Sequence, residues 1–227
     1  MSILRRLLNW ITPPPAPGVP VRSAAVIDHL LKECAGKRIL DLGAGTRNLG
    51  ADVVRLDIVA DPGITVQGDA RHLPFADSVF DLVICSHVLE HVNGYWWAAE
   101  EIRRVTRTGG LMLIETPFLF PFHTATPEDQ HDYVRLTPEG LRAIIADDRL
   151  IEQGLAVGHG STLMLILAEW IARLFYFGSH SGGYYLMRSL LGWLLYPLCF
   201  LDPWLDRRPR NEVIGGAYYV VAQRGDS

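Results

Sequence analysis

Gly43 and Gly45 stand directly after the apolar run Ile39-Leu40-Asp41-Leu42, and two carboxylates follow at Asp57 and Asp69. Glycines at that place let the main chain turn sharply and approach a ligand closely, because no Cβ blocks it and positive φ carries no steric penalty. Asp57, at the end of the next strand, can accept hydrogen bonds from both hydroxyls of a ribose, as the acidic residue of dinucleotide folds does. Asp69, after a third strand, can meet the adenine amino group or its surroundings. The chemistry implied is recognition of a nucleoside in a crevice at the carboxyl edge of a sheet.

A second group of reactive side chains lies further on. In His87-Val88-Leu89-Glu90-His91 two histidines at i and i+4 bracket a glutamate, the H-x-x-E-H spelling of inverted zincins, in which both imidazoles face one metal. On that reading the chain is a metal-dependent hydrolase. After it come Thr116-Pro117-Phe118, His123, Glu128, Asp129, His131, Asp132, Tyr133 and Arg135, of which Asp132 and Arg135 could form a purely structural pair.

The elements that must position these residues alternate. Apolar or β-branched runs predict strands near 38–43, 53–57, 64–67, 80–85 and 111–115. Helical spacing predicts a helix over Ala25 to Cys34, stopped at Gly36, another near 95–107, and a third starting at Thr137-Pro138. Gly154 to Val157 and Ala217 to Ala222 read as a last, antiparallel strand pair. Between Gly45 and Val53 there is room for only a short helix, and between Ile58 and Ile64 for none, although parallel crossovers usually take a dozen or more residues. The adenosine side of the pocket is therefore expected to be trimmed and open.

In this order the residues resemble the class I S-adenosylmethionine-dependent methyltransferases, especially the small-molecule branch called type 11. The matching text is Leu40-Asp41-Leu42-Gly43-Ala44-Gly45, Gly68-Asp69-Ala70 with Leu73-Pro74-Phe75, and Ser78-Val79-Phe80-Asp81-Leu82-Val83. It continues through Val88-Leu89-Glu90-His91-Val92 and Glu101-Ile102-Arg103-Arg104-Val105 to Gly109-Gly110. The third glycine of the family's loop is missing, Arg47 following Thr46. The resemblance implies a three-layer Rossmann-like α/β sandwich with a seven-stranded, mostly parallel sheet and an antiparallel last strand. It implies S-adenosylmethionine as cofactor, with Asp41, Gly43, Ala44, Gly45, Asp57, Ile58, Asp69, Ala70, Ser86 and His87 around it. Asp41 would support the loop or reach the methionine amino group, and Ser86 and His87 would line the methyl-transfer end. The family carries a Leu-Glu-His at this place without a metal, so no metal ligand is expected. Transfer to a hydroxyl would call for a base of near-neutral pKa, for which His123 and His131 are the candidates beside His87.

Composition narrows the partners. A net charge of −4 argues against nucleic acid, which needs clustered Lys and Arg. Cys34, Cys85 and Cys199 are too scattered for a disulfide framework or thiolate metal site and suit a reducing cytoplasm. The missing Asn/Asp-Pro-Pro-aromatic signature argues against nucleobase acceptors and leaves a small-molecule, sugar or lipid-linked one.

Four regions are expected: 1–21, a basic amphipathic segment with Arg5, Arg6 and Trp10 and a Pro-rich linker; 22–160, the cofactor-binding core; 161–212, an apolar helical insertion before the last strand; and 213–227, that strand and the tail. The insertion, above all 161–201, could be an interfacial hairpin meeting lipid with Arg207, Arg208 and Arg210 near anionic headgroups, a core or homodimer contact, or a spanning hairpin. With the N-terminal stretch as a second anchor, the expected location is the cytoplasm, peripheral on the inner face of the membrane. A non-catalytic, membrane-associated cofactor-fold protein is a further alternative.

Overall fold

The computed structural model describes residues 21–123, 131–176, 182–208 and 211–226. The expected N-terminal anchor and Pro-rich linker, Glu128, Asp129, residues 178–181 of the Gly/Ser turn and Arg210 lie outside the described residues. The chain divides into two compact units, Arg22–Ala156 with Ala217–Ser227, and a second containing Val157–Gly216.

In the first unit the chain runs α1 (Ser23–Glu33), β1 (Ile39–Leu42), β2 (Val53–Asp57), β3 (Val66–Gln67), β4 (Phe80–Ser86), a 3-10 turn (Leu89–His91), α2 (Tyr95–Val105), β5 (Thr106–Pro117), α3 (Pro138–Ile144), β6 (Arg149–Val157) and finally β7 (Ala217–Gln223). The sheet order is β3-β2-β1-β4-β5-β7-β6. β1 pairs in parallel with β2 and β4, β2 with β3, and β4 with β5, whereas β7 runs antiparallel to β5. The chain order reverses at β1, so the loops after β1 and β4 diverge there and leave a crevice at the carboxyl edge.

Central parallel strands are covered on both faces and read as unbroken apolar runs. β1 and the first six residues of β4 are buried throughout, and Leu40, Leu82, Val83 and Ile84 have no exposed surface. α1 buries Ile27 and Leu30, and α2 buries Ala98, Ile102 and Val105. Thr137 caps α3, its Oγ1 accepting from Gly140 N at 3.0 Å, with Pro138 at the first helical position.

Two expectations are corrected. β3 is shorter than 64–67, because Ile64 N closes a turn on Asp61 O at 2.8 Å before the ladder begins. β5 starts at Thr106 rather than Leu111, since the turn at Gly109 (φ +75°) is absorbed as an irregularity in its pairing with β4. No helix intervenes between β1 and β2 or between β2 and β3. Arg55 braces both shortened connections from β2: its Nη2 donates to Gly45 O at 2.8 Å and its Nη1 to Gly63 O at 2.6 Å.

The second unit is helical: α4 (His159–Arg173), α5 (Gly182–Leu195), a 3-10 stretch (Tyr196–Leu201) and α6 (Asp202–Leu205). Pro197 does not end the apolar run but opens the 3-10 stretch, where its missing N–H costs nothing. A seam of Ala168, Ala172 and Leu191 joins α4 to α5. Glu169 accepts from Tyr184 Oη at 2.8 Å and lies 3.2 Å from Arg188 Nε and 3.6 Å from Arg173 Nε, its i+4 partner. Buried Asp202 closes the unit by accepting from Gly160 N at 2.5 Å and Ser161 N at 3.2 Å at the start of α4. The unit's two ends meet where Gly216 N donates to Val157 O at 3.0 Å.

Candidate functional site

Gly43 follows β1 with φ +66°, and a Cβ there would stand 2.1 Å from Val88 Cγ2. Both the dihedral and the close approach of the Val88 segment therefore demand glycine. Gly43 N and Ala44 N donate to Leu56 O at 2.8 and 3.1 Å, which ties the loop to β2. Gly45 also has positive φ, +47°, but its outer side is open, with no atom within 4 Å of where a Cβ would be. The bare backbone there faces free space.

Asp57 ends β2 and is fixed by two amides, Oδ2 accepting from Gly45 N and Oδ1 from Val59 N, both at 2.9 Å. Each oxygen keeps a lone pair, which is what a vicinal diol needs. Asp69 is clamped by the following turn: Arg71 N donates to Oδ1 at 2.9 Å and Arg71 Nη2 to Oδ2 at 2.6 Å. The guanidinium beside it holds this carboxyl below its ordinary range.

These groups surround a cavity of about 540 Å³. Its wall includes Leu42, Gly43, Gly45, Thr46, Leu56, Asp57, Ile58, Val59, Asp61, Ile64, Asp69 and Ala70 on the glycine-loop side, and His87, Val88, His91, Val92 and His123 on the other. Of the residues expected around a cofactor, Gly43, Gly45, Asp57, Ile58, Asp69, Ala70 and His87 line it. Asp41, Ala44 and Ser86 do not. Asp41 is fully buried and bonded to the Arg47 guanidinium. Burial pushes its pKa up, against the pull of Arg47. It thus braces the loop from beneath, and the arginine that replaces the expected glycine supplies its partner.

The histidine wall is built round a carboxylate. His87 leaves β4 in the left-handed region, φ +57°, a backbone state that costs a residue with a Cβ on the order of 1 kcal/mol or more. That turn sends the ring between two carboxylates: Nε2 lies 2.9 Å from Glu115 Oε1 and Nδ1 3.3 Å from Glu90 Oε1. Burial would lower the pKa of His87, but hydrogen bonding and charge from Glu115 and Glu90 outweigh it and raise it to about 9. Burial would raise that of Glu90, but His123 and His87 bring it down to about 2.

Glu90 Oε1 also lies 3.6 Å from His123 Nε2 and 3.8 Å from His91 Nε2. The outer nitrogens are anchored elsewhere, His91 Nδ1 donating to His131 O at 2.7 Å and His123 Nδ1 standing 3.3 Å from Pro121 O. Of the three histidines put forward for catalysis, His87 and His123 line the cavity. His131 does not: it is exposed, its ring stacks on Tyr133 and its carbonyl orients His91. Asp132 holds the loop by binding the Arg135 guanidinium and accepting from His123 N at 3.1 Å, so the structural pairing of Asp132 and Arg135 is observed and also positions His123.

The inverted-zincin reading is overturned by local geometry. Its two histidines must sit on successive turns of one helix, whereas here His87 is left-handed and only Leu89–His91 forms a single 3-10 turn. Sequence reasoning did not single out Glu115 or Arg55. Glu115 carried a usable signal, being the one charged residue in the apolar end of β5, beside Ser86 in register. Arg55 carried none, because nothing in a strand sequence announces a brace to two loops.

Residues 40–114 match the family model described as Methyltransferase domain, Methyltransf_11. An uncharacterized methyltransferase of Mycobacterium avium (strain 104) is 34% identical over 125 residues, 44% of this chain and 49% of the relative. A demethylmenaquinone methyltransferase of Renibacterium salmoninarum is 37% identical over 113 residues, 41% of this chain and 48% of its own. The chain thus spans about half the length of the curated relatives it matches. A solved structure of Haemonchus contortus phospholethanolamine N-methyltransferase 2, in complex with phosphomonomethylethanolamine and S-adenosylhomocysteine, superposes with a TM-score of 0.53. That superposition covers 88% of this chain and 52% of the other at 18% identity, a likeness of fold. The bare loop at Gly43 and Gly45 and the diol-ready Asp57 fit an adenosyl group. With the 3-2-1-4-5-7-6 strand order and the matched segment, they make the chain similar to the class I S-adenosylmethionine-dependent methyltransferases, whose fold it shares.

Proposed function

We propose that the chain transfers a methyl group from S-adenosylmethionine to a small-molecule, sugar or lipid-linked acceptor at the cytoplasmic face of a membrane. The observation that carries the reading is a single cavity with an open glycine turn and a fixed carboxylate on one wall and imidazoles on the other. When bound, the cofactor supplies an electrophilic methyl carbon on a sulfonium, open to in-line attack. Gly43 and Gly45 would pass beneath its methionine part, Asp57 would accept from the ribose hydroxyls, and Asp69, with Ala70 and Ile58, would border the adenine. Holding both reactants in one pocket is the main contribution, since displacement at carbon needs alignment above all. The wall of His87, His91 and His123 surrounds the acceptor end, where His123 would take up the proton released by an acceptor hydroxyl, while His87, held protonated by Glu115 and Glu90, would not.

Two observations support a lipid-borne acceptor. Relatives are named demethylmenaquinone methyltransferases, and the second unit exposes Trp170, Trp193, Leu194, Phe200 and Trp204. Gly182–Leu205 is one helical run long and apolar enough to cross a membrane, with 17% of its most apolar window buried. A peripheral seat on lipid uses the same face.

Calorimetric titration with S-adenosylmethionine and S-adenosylhomocysteine tests the cofactor assignment. Asp57→Ala is expected to weaken both at least about tenfold, the value of one or two hydrogen bonds to a charged group. Unchanged affinity would remove Asp57 from the ribose role. Incorporation of labelled methyl into the organic rather than the aqueous phase of a cell extract would support the lipid-borne acceptor.

A further inference from the structure

The arrangement round Glu90 is poorly explained as a set of hydrogen bonds. Glu90 is fully buried, and among the described residues neither of its carboxylate oxygens has a hydrogen-bond partner of normal geometry. Such an orphaned group is costly unless something charged completes it. His87 Nδ1, His123 Nε2 and His91 Nε2 face Oε1 at 3.3, 3.6 and 3.8 Å, beyond the roughly 2.7–3.2 Å of a direct bond. Ligand atoms about 2.0–2.2 Å from a tetrahedral zinc stand about 3.3–3.6 Å apart. The His87 and His123 nitrogens therefore stand from Glu90 Oε1 at the separation of neighbours in a coordination shell, and His91 just beyond it.

The outer ring nitrogens agree. A metal-bound histidine usually gives its other N–H to a carboxylate or carbonyl, which fixes the tautomer. Here His87 Nε2 meets Glu115 Oε1 at 2.9 Å, His91 Nδ1 meets His131 O at 2.7 Å and His123 Nδ1 faces Pro121 O at 3.3 Å. The outer nitrogens of His91 and His123 thus have backbone carbonyl acceptors, His87 Nε2 lies close to Glu115 without a hydrogen bond of normal geometry, and the inner nitrogens stand round Glu90 Oε1.

We propose that His87 Nδ1, Glu90 Oε1 and His123 Nε2 bind a divalent cation of the zinc class, with His91 Nε2 beside them. These three ligand atoms lie within 4.8 Å of one another. The cation takes the place of the proton between His87 and Glu90. All three imidazoles line the cavity, so one coordination position opens inward, as in catalytic rather than structural zinc sites. Its role there, to hold an acceptor oxygen and lower its pKa, rests on the methyl-transfer reading, whereas binding of the metal does not.

The test uses the full chain, stripped with chelator and dialysed against Zn²⁺ or Co²⁺. About one ion per chain is expected by elemental analysis, with visible d–d absorption for the cobalt form. His123→Ala and, as a milder change, His123→Asn should weaken binding at least about tenfold while leaving the far-ultraviolet dichroism and the affinity for S-adenosylhomocysteine unchanged. Asp57→Ala should do the reverse, losing the nucleoside and keeping the ion. Absence of bound metal in the wild type, or equal metal in wild type and both His123 variants, overturns the site and leaves the cofactor assignment standing.

Discussion

At Gly43 two constraints meet at one atom, the left-handed backbone and the contact with Val88. Gly43→Ala is therefore expected to cost about 1–3 kcal/mol, measured as a fall in the urea midpoint. Val88→Ala in the same chain should return part of that loss by removing the clash, while the part due to φ remains. Strictly additive effects of the two changes would show that the contact does not matter. Asp41 and Arg47 teach a different lesson. The family pattern makes the arginine look like a departure that weakens the loop, yet Asp41 lies buried beneath and takes the guanidinium as its partner. A residue that breaks a motif can be complementary to one that keeps it.

Between elements, the decisive joint is α2 against the loop after β3. Glu101 accepts from Leu73 N at 2.7 Å, while Arg104 binds Glu101 at 2.6 Å and donates to Leu73 O at 3.1 Å and Phe75 O at 2.8 Å. Two motifs recognised separately, Leu73-Pro74-Phe75 and Glu101-Ile102-Arg103-Arg104, are thus halves of one clasp. The Arg104 guanidinium holds the Glu101 carboxyl below its ordinary range. A carboxyl lowered by folding stabilises the protein above its unfolded pKa, about 4.3, and loses that contribution as pH falls through the folded value. Glu101→Gln should accordingly cost on the order of 1.5–3 kcal/mol near neutral pH, and the gap to wild type should shrink below about pH 4.3. A gap independent of pH in denaturant titrations would refute the ionised clasp. Most of the sheet was legible because parallel strands announce themselves as apolar runs and the glycine turn as a break after one. The glycine-loop side of the cavity followed from the same pattern. The grouping of His87, His123 and Glu115 was not legible, because it joins the ends of β4 and β5 and the loop beyond through a left-handed turn that sequence periodicity does not encode. Nor was the shortness of β3, set by a local turn at Asp61.

For the whole molecule, the chief question is what covers the apolar face of the helical unit, where Leu194 is 72% exposed and Arg208 lies over the Trp204 ring at 4.3 Å. A lipid surface suits this mixture of Trp, Leu and Arg. Flotation with phosphatidylcholine vesicles containing phosphatidylglycerol should recover the wild-type chain, and Leu194→Asp should reduce recovery about tenfold with nucleoside affinity unchanged. Recovery equal in the two proteins would shift the face to a protein contact. The hydrogen bond between Gly216 and Val157 has a consequence of another kind. Because the helical region leaves and rejoins the chain at adjacent backbone positions, it behaves as a cassette, and insertions at such points are tolerated readily. A short turn grafted across that gap is expected to leave the strand register of the sheet intact.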